Sequence, residues 1–155
     1  MNATKTHLNR IHGSIIALIL VLADQITKII ITNTLTLGQH ITILPTVYLT
    51  YTTNTGIAFG LLPQFSQIYT LIAIIFICII FTFWHSWKNL TKIGMACIAG
   101  GAAGNAIDRI LRGSVVDWFG VSWFSIFNLA DTTITVGAII VLISEYILEK
   151  QKSKT

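Results

Sequence analysis

Charge is what this chain has least of. Only 10% of its 155 residues are Asp, Glu, Lys or Arg, where a soluble domain carries about 25%. With 54% hydrophobic residues and a mean hydropathy of +0.75, a water-facing globular surface is excluded, and an integral membrane protein with length for one domain, 1–155, is expected. Cysteine is nearly absent as well. Cys78 and Cys97 both fall inside apolar runs, without a CxxC pair or a Cys/His cluster. They are expected to serve as small hydrophobes. His7, His12, His40 and His85 are too scattered to suggest a metal site, so neither a metal nor a cofactor is expected. The ten Lys and Arg do not gather on one surface, which argues against nucleic acid as a partner.

What is present is hydrocarbon. A spanning helix needs about 20 mostly apolar residues, and four segments qualify: roughly 12–32, 66–84, 93–111 and 131–148. The first, preceded by Lys5 and Arg10, superficially resembles a signal peptide. No small-residue cleavage site follows it, and a retained first helix is expected. In the third, Gly100 and Gly104 form a GxxxG pair suited to close helix contact.

Cations set the expected orientation. Lys5 and Arg10 precede helix 1, Lys88 and Lys92 link helices 2 and 3, and Lys150, Lys152 and Lys154 follow helix 4. Loops 33–65 and 113–130 contain no Lys or Arg, so they are expected outside and both termini in the cytoplasm. In the first outer loop, Thr alternates with larger apolar residues over 47–52, and Asn54-Thr55-Gly56 follows as a turn signal. A small antiparallel sheet is expected there, between helices 1 and 2. The fold class is then a membrane all-α bundle of four transmembrane helices with a small extracytoplasmic sheet. Trp118, Phe119, Trp123, Phe124 and Phe127 in the second loop read as a headgroup-level belt or as lining for a lipid-bearing substrate.

The few acids stand out against this background. Asp24, Asp108, Asp117 and Asp131 lie in or beside apolar stretches, where a carboxylate costs roughly 2.5–3.5 kcal/mol on insertion scales. Asp24 and Lys28 are four apart in the favourable order for a helical pair, and Asp108 and Arg112 have the same spacing. That division turns Asn105 and Arg109 inward. A helix N-cap is a sufficient structural role for Asp131. Asp117, in a short apolar link among Val116, Trp118 and Phe119, has no comparable explanation. Two carboxylates converging in a partly dry site can supply acid/base chemistry on an amide.

Five stretches follow one another across the helices: Asp24-Gln25-Ile26-Thr27-Lys28, Asn54-Thr55-Gly56-Ile57-Ala58-Phe59, Gly104-Asn105-Ala106-Ile107-Asp108-Arg109, Val115-Val116-Asp117-Trp118 and Phe127-Asn128-Leu129-Ala130-Asp131. Over nearly its whole length the chain resembles bacterial lipoprotein signal peptidase, signal peptidase II. Trp118 stands where that family more often has Phe. The resemblance implies an aspartyl endopeptidase of the bacterial inner membrane, with its site near the extracytoplasmic face. It implies cleavage of diacylglyceryl-modified prolipoproteins just before the lipidated cysteine. Asp117 and Asp131 match the catalytic pair. Asn54, Gly56, Asn105, Arg109 and Asn128 match site-lining positions, with Asp24, Lys28 and Asp108 in support. Membrane lipids as surroundings, a monomeric state and inhibition by globomycin are expected as well. A proton-coupled transporter or channel subunit would use the same acids as a relay, but such sites lie near the bilayer midplane between repeats. A lipid-binding assembly factor would explain the aromatic loop but not the two aspartates.

Overall fold

The computed structural model describes residues 8–56 and 62–153. Lys5, His7, Lys154 and the Ile57-Ala58-Phe59 stretch lie outside the described residues. Four helices dominate: α1 (Arg10–Thr34), α2 (Ser66–Thr82), α3 (Asn89–Arg112) and α4 (Leu129–Lys152). They coincide with the four apolar segments and extend them by a few residues at most ends.

Three of the four helices carry a residue that explains where they begin or end. Asn9 caps α1, its side chain accepting from His12 N at 3.0 Å. Gly113, at φ 76°, closes α3 in the left-handed region that favours glycine. Asn128 caps α4 in a reciprocal box with Asp131.

The helices run alternately. The start of α1, the end of α2 and the start of α3 meet at one end, where Arg10 Nη2 donates to Thr82 O and Leu8 N to Asn89 Oδ1. The buried Trp84 indole fills this junction and donates to Leu8 O. Arg10, Lys88, Lys92, Lys150 and Lys152 all belong to this basic end. A four-stranded antiparallel sheet, in the order β1 (His40–Leu44), β2 (Val47–Asn54), β3 (Val115–Val121) and β4 (Ile126–Phe127), covers the other.

The sheet departs from expectation. It is not confined to the loop between α1 and α2, because the α3–α4 connection supplies half its strands. Val115 to Asp117, expected as a link, is the start of β3, where Thr52 pairs with Asp117 and Asn54 with Val115. Val115, Val116 and Asp117 are all buried, so this stretch shows none of the alternation that marks a half-exposed strand.

α3 is the core helix. Its small residues let neighbours approach: a Cβ on Gly100 would lie 3.0 Å from Ala17 O, and one on Gly104 would lie 2.6 Å from Asp24 Oδ2. The GxxxG pair therefore faces α1, and Gly104 makes room for a carboxylate as well as a backbone. α1, α2 and α4 turn their large residues outward, Leu18, Leu22, Leu71, Ile75 and Leu142 being over half exposed or close to it. Such a surface is matched to hydrocarbon rather than water. By length and composition α1 and α4 can cross a membrane; α2, at 17 residues, is shorter, and α3 is diluted by glycine, alanine and charge.

Candidate active site

Every candidate residue singled out in the sequence comes to the sheet end of the bundle, and there they sort into two connected layers. The deeper layer is ionic. Lys28 on α1 is fully buried, and its Nζ lies 2.8 Å from both Asp24 Oδ2 and Asp108 Oδ2. Arg112 pairs with Asp108 from one turn along α3. The remaining lone pairs are also used. Ala130 N donates to Asp24 Oδ1 at 2.9 Å, and Val116 N donates to Asp108 Oδ2 at 3.0 Å. Gln25 Nε2 lies within 3.2 Å of both carboxylates and donates to Gly104 O. The two expected helical pairs thus form, and Lys28 joins them into one network tying α1 to α3, β3 and α4. The bridge from Lys28 to Asp108 and the part taken by Gln25 were not foreseen. A glutamine beside an acid on an apolar helix was the available signal; the two backbone donors left none.

The upper layer is built on amides. Asn128 is 1% exposed. Its Nδ2 donates to Asp117 Oδ1 at 2.7 Å, and its own N donates to Asp131 Oδ2 at 3.2 Å. One residue therefore holds both aspartates. Asn105 links the layers: its Oδ1 accepts from Lys28 Nζ at 3.1 Å, and its Nδ2 donates to Asp131 Oδ1 at 2.8 Å. With Lys28 and Asn128 both donating to its oxygen, the Asn105 amide can only present its NH₂ to Asp131. Asn54, at the end of β2, hydrogen bonds to the Asp117 carboxylate, and its Oδ1 also accepts from Gly56 N at 2.9 Å.

Asp131 is not the helix cap. Asn128 is, and Asp131 sits three residues on, its carboxylate returning the bond to Asn128 N. The sequence Asn-Leu-Ala-Asp carries the spacing of a capping box, with Asn in the cap position. A carboxylate here lies in the first turn of α4, at the positive end of the helix dipole.

Asp117 is 4% exposed. Its burial, with added repulsion from Asp131, pushes its carboxyl up to about 7, against an ordinary value of 3.8. Arg109 is within charge–charge range of Asp131 and Asp117. Its Nη2 is committed to Gly56 O at 2.8 Å, and its guanidinium lies over the Tyr69 ring at 5.8 Å. No ion pair to Asp117 or Asp131 forms among the described residues. A buried acid that titrates near neutrality, beside a second carboxylate fixed by donors, is an arrangement suited to general acid/base chemistry.

The family profile described as signal peptidase (SPase) II matches residues 16–147, a span that takes in every one of these side chains. The chain belongs to the signal peptidase II family. It is 45% identical over 140 residues to the lipoprotein signal peptidase of Bartonella bacilliformis, covering 83% of this chain and 84% of that one. Against the lipoprotein signal peptidase of Halothermothrix orenii it is 32% identical over 141 residues, covering 89% and 96%. Among solved structures, a bacterial membrane enzyme determined by the in meso method superposes with a TM-score of 0.83 at 30% identity, covering 92% of this chain and 91% of that one. A second in meso structure of a bacterial membrane enzyme gives 0.76 at 32% identity. Membership of the signal peptidase II family makes this chain a membrane protein, a protease and a lipoprotein-processing hydrolase, and it disfavours the transporter reading.

Proposed function

We propose that this chain is an aspartic-type endopeptidase whose catalytic pair is Asp117 and Asp131. It removes signal peptides from prolipoproteins, and the substrate class proposed is the diacylglyceryl-modified precursor, cut just before the lipidated cysteine. The observation that carries the assignment is the shared hold of Asn128 on two carboxylates that have no cation paired to them among the described residues.

Two carboxylates this close share a proton, since ionising both is costly. In the resting pair Asp117 carries it. The Asp131 carboxylate takes a proton from a water molecule as that water attacks the scissile carbonyl. Asp117 gives its proton to the carbonyl oxygen, which becomes the hydroxyl of a tetrahedral diol. Collapse of the diol breaks the C–N bond. The proton now on Asp131 goes to the leaving amine, and a diol hydroxyl returns its proton to Asp117. Asn105 and Asn128 hold Asp131 in position, while Asn54 and Asn128 do so for Asp117. Arg109 and Gly56 line the site, and Asp24, Lys28 and Asp108 brace it from below.

The same reading places all four helices across the bacterial inner membrane as one domain, with both termini cytoplasmic. The gathering of Arg10, Lys88, Lys92, Lys150 and Lys152 at the end opposite the sheet supports it. The catalytic pair then lies near the extracytoplasmic face, where the end of a signal helix emerges from the bilayer. Globomycin is proposed as an inhibitor. The test is incubation of the purified protein with a diacylglyceryl-modified prolipoprotein and, in parallel, with the unmodified precursor. Cleavage of the modified form alone is expected, and cleavage of neither would overturn the assignment.

A further inference from the structure

A cavity of about 290 Å³ opens at the sheet end, between the first turn of α2 and the last turn of α3, lined by Gln64, Ser66, Gln67, Thr70, Arg109 and Gly113. Every lining side chain ends in a polar group, and Arg109 is the one charge among them. Two of the hydroxyls are already turned to backbone carbonyls, Ser66 Oγ to Gly113 O and Thr70 Oγ1 to Ser66 O. The carboxamides of the exposed Gln64 and Gln67 make no side-chain hydrogen bond among the described residues. Arg109 adds a second observation. Its Nε is buried and has no hydrogen-bond partner among the described residues, although Nη2 is committed to Gly56 O. An orphaned buried donor of this kind is unfavourable until an acceptor arrives. Arg109 also lies within charge–charge range of both Asp117 and Asp131. Arg109 therefore couples the cavity electrostatically to the catalytic pair.

We infer that this cavity is the subsite for the polar peptide that follows the lipidated cysteine, the first residues of the mature lipoprotein. The inference rests on the activity proposed above. Such a substrate has three chemically distinct parts: an apolar signal helix, two acyl chains and a hydrated peptide. Neither of the first two can satisfy two carboxamides and a guanidinium, and placing hydrocarbon against them would leave buried polar groups unpaired. An extended peptide of small polar residues brings a carbonyl and an N–H at every step. At about 3.3 Å per residue, the second to fourth residues beyond the cut bond reach roughly 7–13 Å from it. That is far enough to leave a membrane-depth site for its outer rim. The subsite makes the enzyme selective for what lies after the cysteine, a region the chemistry of cleavage does not touch.

The test pairs two diacylglyceryl-modified precursors, identical except that the second and third residues after the cysteine are Ser-Asn in one and Leu-Leu in the other. Wild-type protein is expected to prefer the Ser-Asn precursor. Gln67→Leu and Gln64→Leu alter exposed side chains, so folding is not at stake, and thermal unfolding verifies it. Each is expected to raise KM for the Ser-Asn precursor about fivefold, the worth of one hydrogen bond. kcat is expected to stay within about twofold, the signature of lost ground-state binding, and KM for the Leu-Leu precursor to stay level. Unchanged discrimination in both variants would overturn the subsite. So would a preference that responds only to residues before the cysteine. Wild-type protein cleaving neither precursor would instead remove the activity on which the inference depends.

Discussion

Two pairs of carboxylates lie one above the other in this protein, and they are treated in opposite ways. Asp24 and Asp108 are buried and neutralised: Lys28 sits between them, Arg112 adds a second cation to Asp108, and backbone N–H groups take up oxygens on both. Asp117 and Asp131 receive amides instead, from Asn54, Asn105 and Asn128, and no ion pair among the described residues. An amide donor positions a carboxylate without fixing its charge. A buried cation also compensates its charge, and removing either ion of such a pair is costly. The lower pair is therefore matched by cations and suited to holding helices together. The upper pair remains free to exchange a proton, which is what hydrolysis needs. Burial alone does not distinguish a catalytic acid from a structural one; the kind of partner does.

The largest effect expected from breaking this contrast is on turnover. Asp117→Asn and Asp131→Asn each keep the shape and most of the hydrogen bonding while removing the titratable group. Each should lower the cleavage rate by at least the 10²–10⁴-fold range typical of a lost general acid or base. Gel-shift cleavage of a modified prolipoprotein measures it. Retention of a tenth of the wild-type rate by either variant would mean that the residue is not an essential acid or base.

Next comes stability, through the lower pair. Lys28→Met removes the shared cation and leaves Asp24 without an ion pair in a buried site, a change that typically costs about 3–5 kcal/mol. Adding Asp24→Asn restores the balance of charge, since Asp108 keeps Arg112, and should recover most of the loss in thermal unfolding. Turnover should not recover with it. The Asn105 amide would lose one of the two donors that fix its oxygen, loosening the orientation that presents its NH₂ to Asp131. Full recovery of rate in the charge-balanced variant would show that Lys28 serves only the fold.

Much of this contrast was legible in the residue order, and the parts that were not share a cause. The Asp24–Lys28 and Asp108–Arg112 pairs are local, four residues apart on one helix face, and such spacing is readable. The helices were readable from their apolar length. β3 was not, because Val115-Val116-Asp117 is buried throughout and owes its strand to pairing with β2, some 60 residues away. Without that strand, Asp117 looked like part of a link, and the sheet looked confined to one loop. The same distance hid the bridge from Lys28 to Asp108, which depends on how α1 and α3 are rotated against each other. Asn128 was legible as a cap from its spacing to Asp131, yet the acid drew the assignment because Asp is a good cap in its own right.

A third effect follows from pH and is more modest. The folded carboxyl of Asp117 titrates at about 7 and its ordinary value is 3.8, so between these the folded chain holds a proton that the unfolded chain has released. The stability this contributes is fully present below 3.8 and is lost as pH rises through about 7. Asp117→Asn has no such loss. Its melting temperature should rise relative to wild type as pH goes from about 5 to about 8, then level off. Turnover by the wild type should decline over the same alkaline range as Asp117 loses the proton it donates. A constant difference in melting temperature across that range would remove desolvation as the source of the shift.

The smallest effect separates the outer cation of the lower network from the inner one. Arg112 and Lys28 both pair with Asp108, but Lys28 is fully buried while the Arg112 side chain is 32% exposed. Water and salt therefore screen the Arg112 pair, and measured exposed pairs contribute about 0.2–1 kcal/mol. Arg112→Gln leaves Asp108 with Lys28, Gln25 and Val116 N, so no carboxylate is stranded. Thermal unfolding should shift by no more than the equivalent of about 1 kcal/mol, and less in high salt than in low. Turnover should stay within about twofold, since Arg112 makes no contact with Asn105, Asn128, Asp117 or Asp131 among the described hydrogen bonds. A loss as large as that of Lys28→Met would mean that Asp108 depends on both cations equally, and the distinction between a cation-matched pair and a free one would then rest on Arg112 as much as on the buried lysine.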